Sequence, residues 1–118
     1  MKENKQGIGL KYAFEGLIIA FKQERNFRIH LFMAILVIIV SLFLQINMHE
    51  WLFVLFAISF VIITELINSV IERLIDYLKP ENNINAKEIK DISAGFVLIA
   101  VVNAIFVGLI IFMPKIMI

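Results

Sequence analysis

The chain has 118 residues, 61% of them hydrophobic, and a mean hydropathy of +0.92. Soluble domains are about 45–50% apolar, and so short a chain has too little interior to bury this many apolar side chains. The composition therefore argues against a soluble monomer and against disorder. A net charge of +1 lacks the basic excess expected for a nucleic-acid partner, and the absence of cysteine excludes disulfides and thiolate chemistry. We expect residues 1–118 to form a single integral membrane domain.

The first predicted element is an amphipathic surface helix over about residues 8–26. Leu10, Phe14, Leu17 and Phe21 follow a 4-3-4 helical spacing, while charged residues lie on another side. Such a helix is too charged to span a bilayer and suits the membrane interface. The alternative is a cytoplasmic helix that packs against the bundle, and both can hold in part.

Three apolar stretches follow, and they predict transmembrane helices over about residues 29–47, 51–78 and 87–113. Each approaches or exceeds the ~20 residues that cross a hydrocarbon core of ~30 Å. Six basic residues precede the first span, four lie between residues 72 and 91, and none lies between 45 and 50. The positive-inside rule then predicts that the N-terminus and the second loop face the cytoplasm.

The connection between the second and third spans begins at Pro80, which cannot continue a helix. The stretch from Pro80 to Asn85 is typical of a turn. Asn85, followed by Glu88 three residues later, matches the spacing of an N-terminal capping pair and predicts the start of the third span.

The second span carries an unexpected set of polar side chains. With Glu65 at 0° and 100° per residue, five polar residues fall within an arc of about 100°. We call them the polar stripe: Glu65, Asn68, Ser69, Glu72 and Asp76. Ionisable groups at membrane depth cost roughly 2.5–3.5 kcal/mol each on insertion scales, so they rarely persist without a function. The alternative is that the later members of the stripe form a solvated face.

Other charged residues are expected on the same side of the membrane. Glu24 ends the surface helix, where Arg25 or Arg28 could simply pair with it, and Lys90–Asp91 open the third span. Oxygen ligands suit Mg²⁺, and a lysine suits phosphate. This combination favours phosphoryl transfer, although no P-loop and no soluble-kinase motif is present.

Two other classes of function remain as alternatives. Carboxylates in a span also line ion paths, which would suit a channel or transporter subunit. However, the acids cluster at one face, and the third span has no ionisable residue between Asp91 and Lys115. A passive assembly factor would tolerate neutralisation of the stripe. His30 is expected to be an interfacial polar residue rather than a ligand, and His49 has no evident partner.

The stripe resembles the signature of the prokaryotic diacylglycerol kinase family, E-x-x-N-S/T-x-I/V-E-x-x-x-D. The spacing to Lys90–Asp91 and the upstream Glu24-x-x-Phe27-Arg28 strengthen the likeness, which with Tyr12 and Gly16 covers nearly the whole chain. The resemblance implies an all-α membrane kinase with a surface helix and three spans. It also implies a homotrimer in the cell membrane, with active sites shared between neighbouring subunits.

The resemblance further implies a role for each matching residue. Glu65 would be the general base at the lipid hydroxyl, Asn68 would orient it, and Phe27 and Arg28 would contact the lipid. Mg²⁺ would bridge the ATP phosphates from two carboxylates, Glu24 and Glu72. The expected nucleotide-binding residues are Tyr12, Glu24, Glu72, Glu81, Asn83, Lys90 and Asp91. Asp76 is expected to be structural.

Two lipid substrates are known within this family. One branch phosphorylates diacylglycerol, and a Gram-positive branch mainly phosphorylates undecaprenol. The run from Asn26 to His30 is similar to the second branch, because the first carries an acidic residue at the position of His30. Phe14 and Phe21 also stand where the diacylglycerol branch has tryptophans. These departures favour undecaprenol and leave diacylglycerol as the alternative.

Overall fold

The computed structural model describes residues 8–79 and 83–117. These residues form four α-helices and, within those ranges, no β-strand: α1 (Ile8–Gln23), α2 (Arg25–Leu44), α3 (Met48–Leu78) and α4 (Ile84–Ile116). The last three are each long and apolar enough to cross a membrane. The prediction of an all-α protein with three candidate spans is confirmed.

The helix lengths decide how far each end reaches beyond the hydrocarbon. α2 has 20 residues, α3 has 31 and α4 has 33. At 1.5 Å per residue, α3 and α4 are about 46 and 50 Å long, well above a hydrocarbon core of about 30 Å. Their polar ends, including the later part of the polar stripe, therefore reach the headgroup region.

The first helix ends at Gln23, where the chain turns into α2. Glu24 has an extended backbone (φ −111°, ψ 107°) between the two helices, although its N–H still donates to the Ala20 carbonyl at 2.8 Å. Arg28 Nη1 donates to the carbonyl oxygens of Phe21 and Lys22 at 2.8 and 3.2 Å. These bonds satisfy carbonyls left without helical partners at the end of α1. The large apolar side chains of α1 between Leu10 and Phe21 remain exposed.

A tight hairpin joins α2 to α3. Gln45 adopts the left-handed conformation (φ 54°, ψ 53°) that ends many helices, and the Ile46 N–H donates back to the Ser41 carbonyl. Asn47 then begins α3 with a reciprocal capping box. Its side chain accepts from the Glu50 N–H, and Glu50 accepts from the Asn47 N–H, each at 3.0 Å.

The two longest helices pack against each other along most of their length. Small side chains are buried along this pair, among them Ala57 on α3 and Ser93 and Ala100 on α4. An ion pair lies near each end of the pair: Lys115 to Glu50 at 3.1 Å and Lys90 to Asp76 at 2.6 Å. The α3–α4 pair is therefore the rigid frame on which the polar stripe is held.

The predicted cap of the last helix is wrong. α4 begins one residue after Asn83, whose side chain accepts from the N–H groups of Asn85 and Ala86 at 2.9 and 3.1 Å. Asn85 lies inside the first turn, so its side chain comes too late to cap the helix. The predicted turn runs from Pro80 to Asn85. Its first three residues, 80–82, lie outside the described residues together with the predicted nucleotide ligand Glu81. Its last two residues, Ile84 and Asn85, already belong to α4.

Candidate active site

The candidate site forms where the start of α2, the second half of α3 and the start of α4 meet at one end of the bundle. Within the polar stripe, Glu65, Asn68 and Ser69 are buried. Glu72 is half-buried and Asp76 is exposed. The stripe therefore passes from the interior of the bundle to its surface over three helical turns, and the solvated-face alternative applies to Asp76 alone.

Glu65 is the most buried carboxylate of this region, with 3% of its surface exposed. Ser69 Oγ donates to its Oε2 at 3.4 Å, and His30 Nε2 lies 3.6 Å from its Oε1. Glu72 and Glu24 are the carboxylates whose negative charge acts on it. His30 is expected from the sequence to be an interfacial polar residue rather than a ligand, and that expectation stays a prediction. The structure adds that α2 brings its ring against the predicted base.

Asn68 and Glu72 form the next level of the site, one turn along α3. Asn68 Nδ2 donates to Glu72 Oε2 at 3.3 Å. The Asn68 Oδ1 atom is buried and, among the described residues, has no hydrogen-bond partner. Since buried polar atoms are nearly always paired, this oxygen is available to accept a hydrogen bond from water or from a bound ligand.

Glu24 reaches the site from the junction of α1 and α2. Its carboxylate does not cap α2 and instead accepts from Arg73 Nε on α3 at 2.8 Å. Arg73 Nη2 also donates to Gln23 at 2.7 Å. The predicted alternative of pairing with Arg25 or Arg28 is therefore wrong. In the sequence, Arg73 serves only as one of the basic residues that predict membrane orientation. Its position next to Glu72 is the one sequence feature that could have indicated its role in holding Glu24.

The start of α4 contributes Lys90 and Asp91, which point to different partners. Lys90 Nζ lies 2.6 Å from Asp76 Oδ1. Asp91 instead pairs with Lys87 on the exposed surface of α4, at 2.7 Å. Asp76 thus holds Lys90 beside the stripe, in line with the structural role expected for it.

The remaining predicted residues lie around this centre. Phe27 is buried at the start of α2, and Arg28 is occupied by the carbonyls at the end of α1. Tyr12 is half-buried in α1, and between the described residues no hydrogen bond joins it to the stripe. Asn83 caps α4. Tyr12 and Asn83 are therefore peripheral to the centre built by Glu24, Glu65 and Glu72.

An apolar cavity of about 480 Å³ lies between α2, α3 and α4 and begins at His30. Among the described residues that line it, His30 alone has a polar side chain. The others are Ile29, Met33, Ala34, Val37, Ile58, Val61, Val101, Ala104, Ile105, Gly108, Leu109, Phe112 and Met113. This lining suits a hydrocarbon chain.

Comparison with known proteins gives one consistent result. The sequence profile of the family described as "Prokaryotic diacylglycerol kinase" matches residues 11–112. An undecaprenol kinase of Bacillus subtilis is 32% identical over 104 residues, covering 88% of this chain and 85% of its own. A diacylglycerol kinase of Haemophilus influenzae is 31% identical over 104 residues, covering 86% and 88%. One of Synechocystis is 32% identical over 111 residues, covering 93% and 63%.

The profile covers nearly the whole chain, including the junction with Glu24, the full polar stripe and the start of α4. The three long apolar helices agree with the membrane character of such a kinase. The chain belongs to the prokaryotic diacylglycerol kinase family and is a membrane lipid kinase that uses ATP as its co-substrate.

Proposed function

We propose that this kinase phosphorylates undecaprenol to undecaprenyl phosphate. The observation that carries the proposal is the apolar cavity, which begins at His30 beside the buried carboxylate of Glu65. A polyprenol has one hydroxyl on an otherwise hydrocarbon chain, so the hydroxyl can meet Glu65 while the first isoprene units lie in the cavity. The match to the Bacillus undecaprenol kinase over most of both chains supports the same substrate.

Diacylglycerol is the second candidate, since several relatives are named diacylglycerol kinases. Its two ester carbonyls lie close to the reacting hydroxyl and need hydrogen-bond donors or water once they leave the headgroup region. Among the described lining residues, only His30 offers a donor. The lining therefore favours the polyprenol over the glycerolipid.

In the proposed reaction, Glu65 accepts the proton of the lipid hydroxyl as the lipid oxygen attacks the γ-phosphorus of ATP. The bond between the γ-phosphorus and the β–γ bridging oxygen breaks, and ADP leaves. A carboxylate held in an apolar setting is a suitable general base, because few groups stabilise its charge in the resting state. Asn68, one turn along α3, is proposed to orient Glu65 or the lipid hydroxyl through its amide.

Glu24 and Glu72 are proposed to hold Mg²⁺ together with the phosphates of ATP. Among the described residues no group of three potential protein ligands lies close enough to form a complete cage. Mg²⁺ commonly takes one or two carboxylates and completes its shell with phosphate oxygens and waters, so this donor set fits. The buried Asn68 Oδ1, which no hydrogen-bond donor of the described ranges reaches, would offer a further oxygen at the same level. When bound, the ion would neutralise charge developing on the transferred phosphoryl group.

The nucleotide is proposed to lie across the exposed end of the stripe. Lys90, held by Asp76, would bind phosphate, and Asp91 would help to hold the nucleotide. Phe27 and Arg28 would contact the lipid near the junction of α1 and α2. The outer nucleotide contacts are proposed to be Tyr12, Glu81 and Asn83.

We further propose that the protein lies in the plasma membrane as a homotrimer, with its N-terminus and active site on the cytoplasmic side. The distribution of basic residues supports this orientation. The exposed apolar side chains of α1 suit the membrane surface. The trimer with shared sites rests on the family resemblance, and a single chain leaves the end of the stripe open on one side.

A side-by-side assay tests the proposed substrate. Purified protein in detergent–lipid micelles receives ATP, Mg²⁺ and equal mole fractions of undecaprenol or diacylglycerol. We expect kcat/KM for undecaprenol to exceed that for diacylglycerol by at least tenfold. An equal or reversed preference would contradict the undecaprenol assignment and leave the lipid kinase itself standing.

A further inference from the structure

A histidine outside the polar stripe lies against the proposed base. His30 Nε2 on α2 is 3.6 Å from Oε1 of Glu65 on α3. One-fifth of the His30 side chain is exposed, whereas 4% of the Glu65 side chain is. The distance is in ion-pair range and slightly beyond an N–H···O hydrogen bond, so a small rotation of either side chain closes it.

The two oxygens of Glu65 meet different neighbours. Ser69 Oγ donates to Oε2 at 3.4 Å from within α3, whereas His30 faces Oε1 from a different helix. Ser69 can therefore fix the carboxylate only relative to its own helix. His30 can fix it relative to α2, which also forms one wall of the apolar cavity.

The surroundings make such a donor necessary. The charges that act on Glu65 from nearby are those of Glu72 and Glu24, both of the same sign. Repulsion by these two acids favours Glu65 rotamers that turn its carboxylate away from them. Without a donor on the cavity side, nothing then fixes the direction in which the carboxylate points. A misplacement of about 1 Å at a reacting group can cost up to about 100-fold in rate.

We propose that His30 is a positioning residue, which donates from Nε2 to Glu65 Oε1 and aims this carboxylate at the lipid hydroxyl at the mouth of the cavity. The inference rests on the proposed role of Glu65 as general base. It adds a requirement for catalysis that the residues of the polar stripe do not meet by themselves, namely a hydrogen-bond donor from α2.

Steady-state kinetics with the full-length protein and undecaprenol test the proposal. We expect His30→Leu to lower kcat roughly 10- to 100-fold with little change in KM for ATP, since orientation of the base matters only in the transition state. His30→Gln keeps an N–H donor and should recover most of the rate. The matched control is His49→Leu, which makes the same change at the other histidine, an exposed residue in the first turn of α3.

A double variant separates positioning from folding. If His30 acts through Glu65, adding His30→Leu to Glu65→Gln should cause no further loss, because the group it aims is already gone. A wild-type kcat for His30→Leu, an equally slow His30→Gln, or fully multiplied losses in the double variant would each overturn the inference. If Glu65→Gln itself stays fully active, the proposed base fails first. If Glu65→Gln is inactive while His30→Leu is normal, only the positioning role fails.

Discussion

Arg73 on α3 donates to Glu24 at the junction of α1 and α2, with 2.8 Å between Nε and Oε2. The two residues are 49 positions apart in the chain. This ion pair therefore connects the surface helix to the middle span at the level of the polar stripe. Glu24 occupies the N-cap position of α2, but its carboxylate pairs with Arg73 and makes no capping hydrogen bond to the first backbone N–H groups of the helix.

Removing the guanidinium should release Glu24 from α3. We expect Arg73→Gln to lower the lipid phosphorylation rate roughly tenfold, because a displaced binding group is costly to the rate. Arg73→Lys should recover part of it, since its ammonium group keeps the charge but lacks the two separate donor nitrogens that meet Glu24 and Gln23. Lys79→Gln is the control, because it removes the same charge from an exposed position at the end of the same helix. Equal rates for Arg73→Gln and Lys79→Gln would contradict the prediction.

Glu65→Gln should lose at least about 100-fold in kcat, because the amide cannot accept the hydroxyl proton. Its thermal midpoint in detergent should stay level or rise, since a buried carboxylate that faces two like charges is replaced by a neutral group of the same shape. Kinetics and thermal unfolding on one preparation check both parts. Glu15→Gln, an exposed position on α1, is the matched control. Retained activity in Glu65→Gln would exclude it as the base.

Glu72→Gln should raise the Mg²⁺ concentration needed for half-maximal activity by roughly tenfold, because it removes one of two proposed carboxylate ligands. A Mg²⁺ titration at saturating ATP measures this. Asp76→Asn lies one turn further along the same stripe and breaks the Lys90 pair instead. It should leave the Mg²⁺ midpoint in place while raising KM for ATP. Identical Mg²⁺ curves for wild type and Glu72→Gln would count against the metal role.

Asn47→Ala should lower the free energy of unfolding by about 1 kcal/mol, because it removes the capping box that begins α3. Reversible unfolding in mixed micelles measures the change. The rate per folded molecule should be unaltered, since the cap lies at the opposite end of α3 from the polar stripe. A large loss of turnover without loss of stability would mean that this turn communicates with the site.

The proposed orientation can be tested because the natural chain has no cysteine. Single cysteines introduced by His49→Cys and Lys79→Cys lie at opposite ends of α3. In intact cells a membrane-impermeant maleimide should label the first and not the second. After permeabilisation both should react. The reverse labelling pattern would show that the protein has the opposite orientation in the membrane.

Local pattern was enough to predict the architecture. Apolar runs give the spans, and the helical period by itself places Glu65, Asn68 and Glu72 on one face. The sequence does not distinguish the residue that caps α4, because Asn83 and Asn85 both satisfy the preference for asparagine at a helix N-cap. Which of them stands at the N-cap depends on how the preceding connection leads into the helix.

The partners across helices could not be predicted. Whether Glu24 meets Arg25, Arg28 or Arg73 depends on how α1 turns at its junction with α2. The approach of His30 to Glu65 likewise depends on the rotation of α2 about its axis against α3. A single sequence does not encode that rotation as a local pattern, since the exposed side chains of α2 beyond Arg28 are all apolar.

The ion pairs at the two ends of the α3–α4 frame have a mechanical consequence. From Glu50 to Asp76 the helix extends about 39 Å, and the ion pairs at both ends oppose sliding of the two helices past each other. A bilayer with a hydrocarbon thickness of about 30 Å can then be matched only by tilting the frame as a unit or by deforming the lipid. We therefore expect the depth of Glu65 below the headgroups, and the rate of lipid phosphorylation with it, to change with the acyl-chain length of the host bilayer.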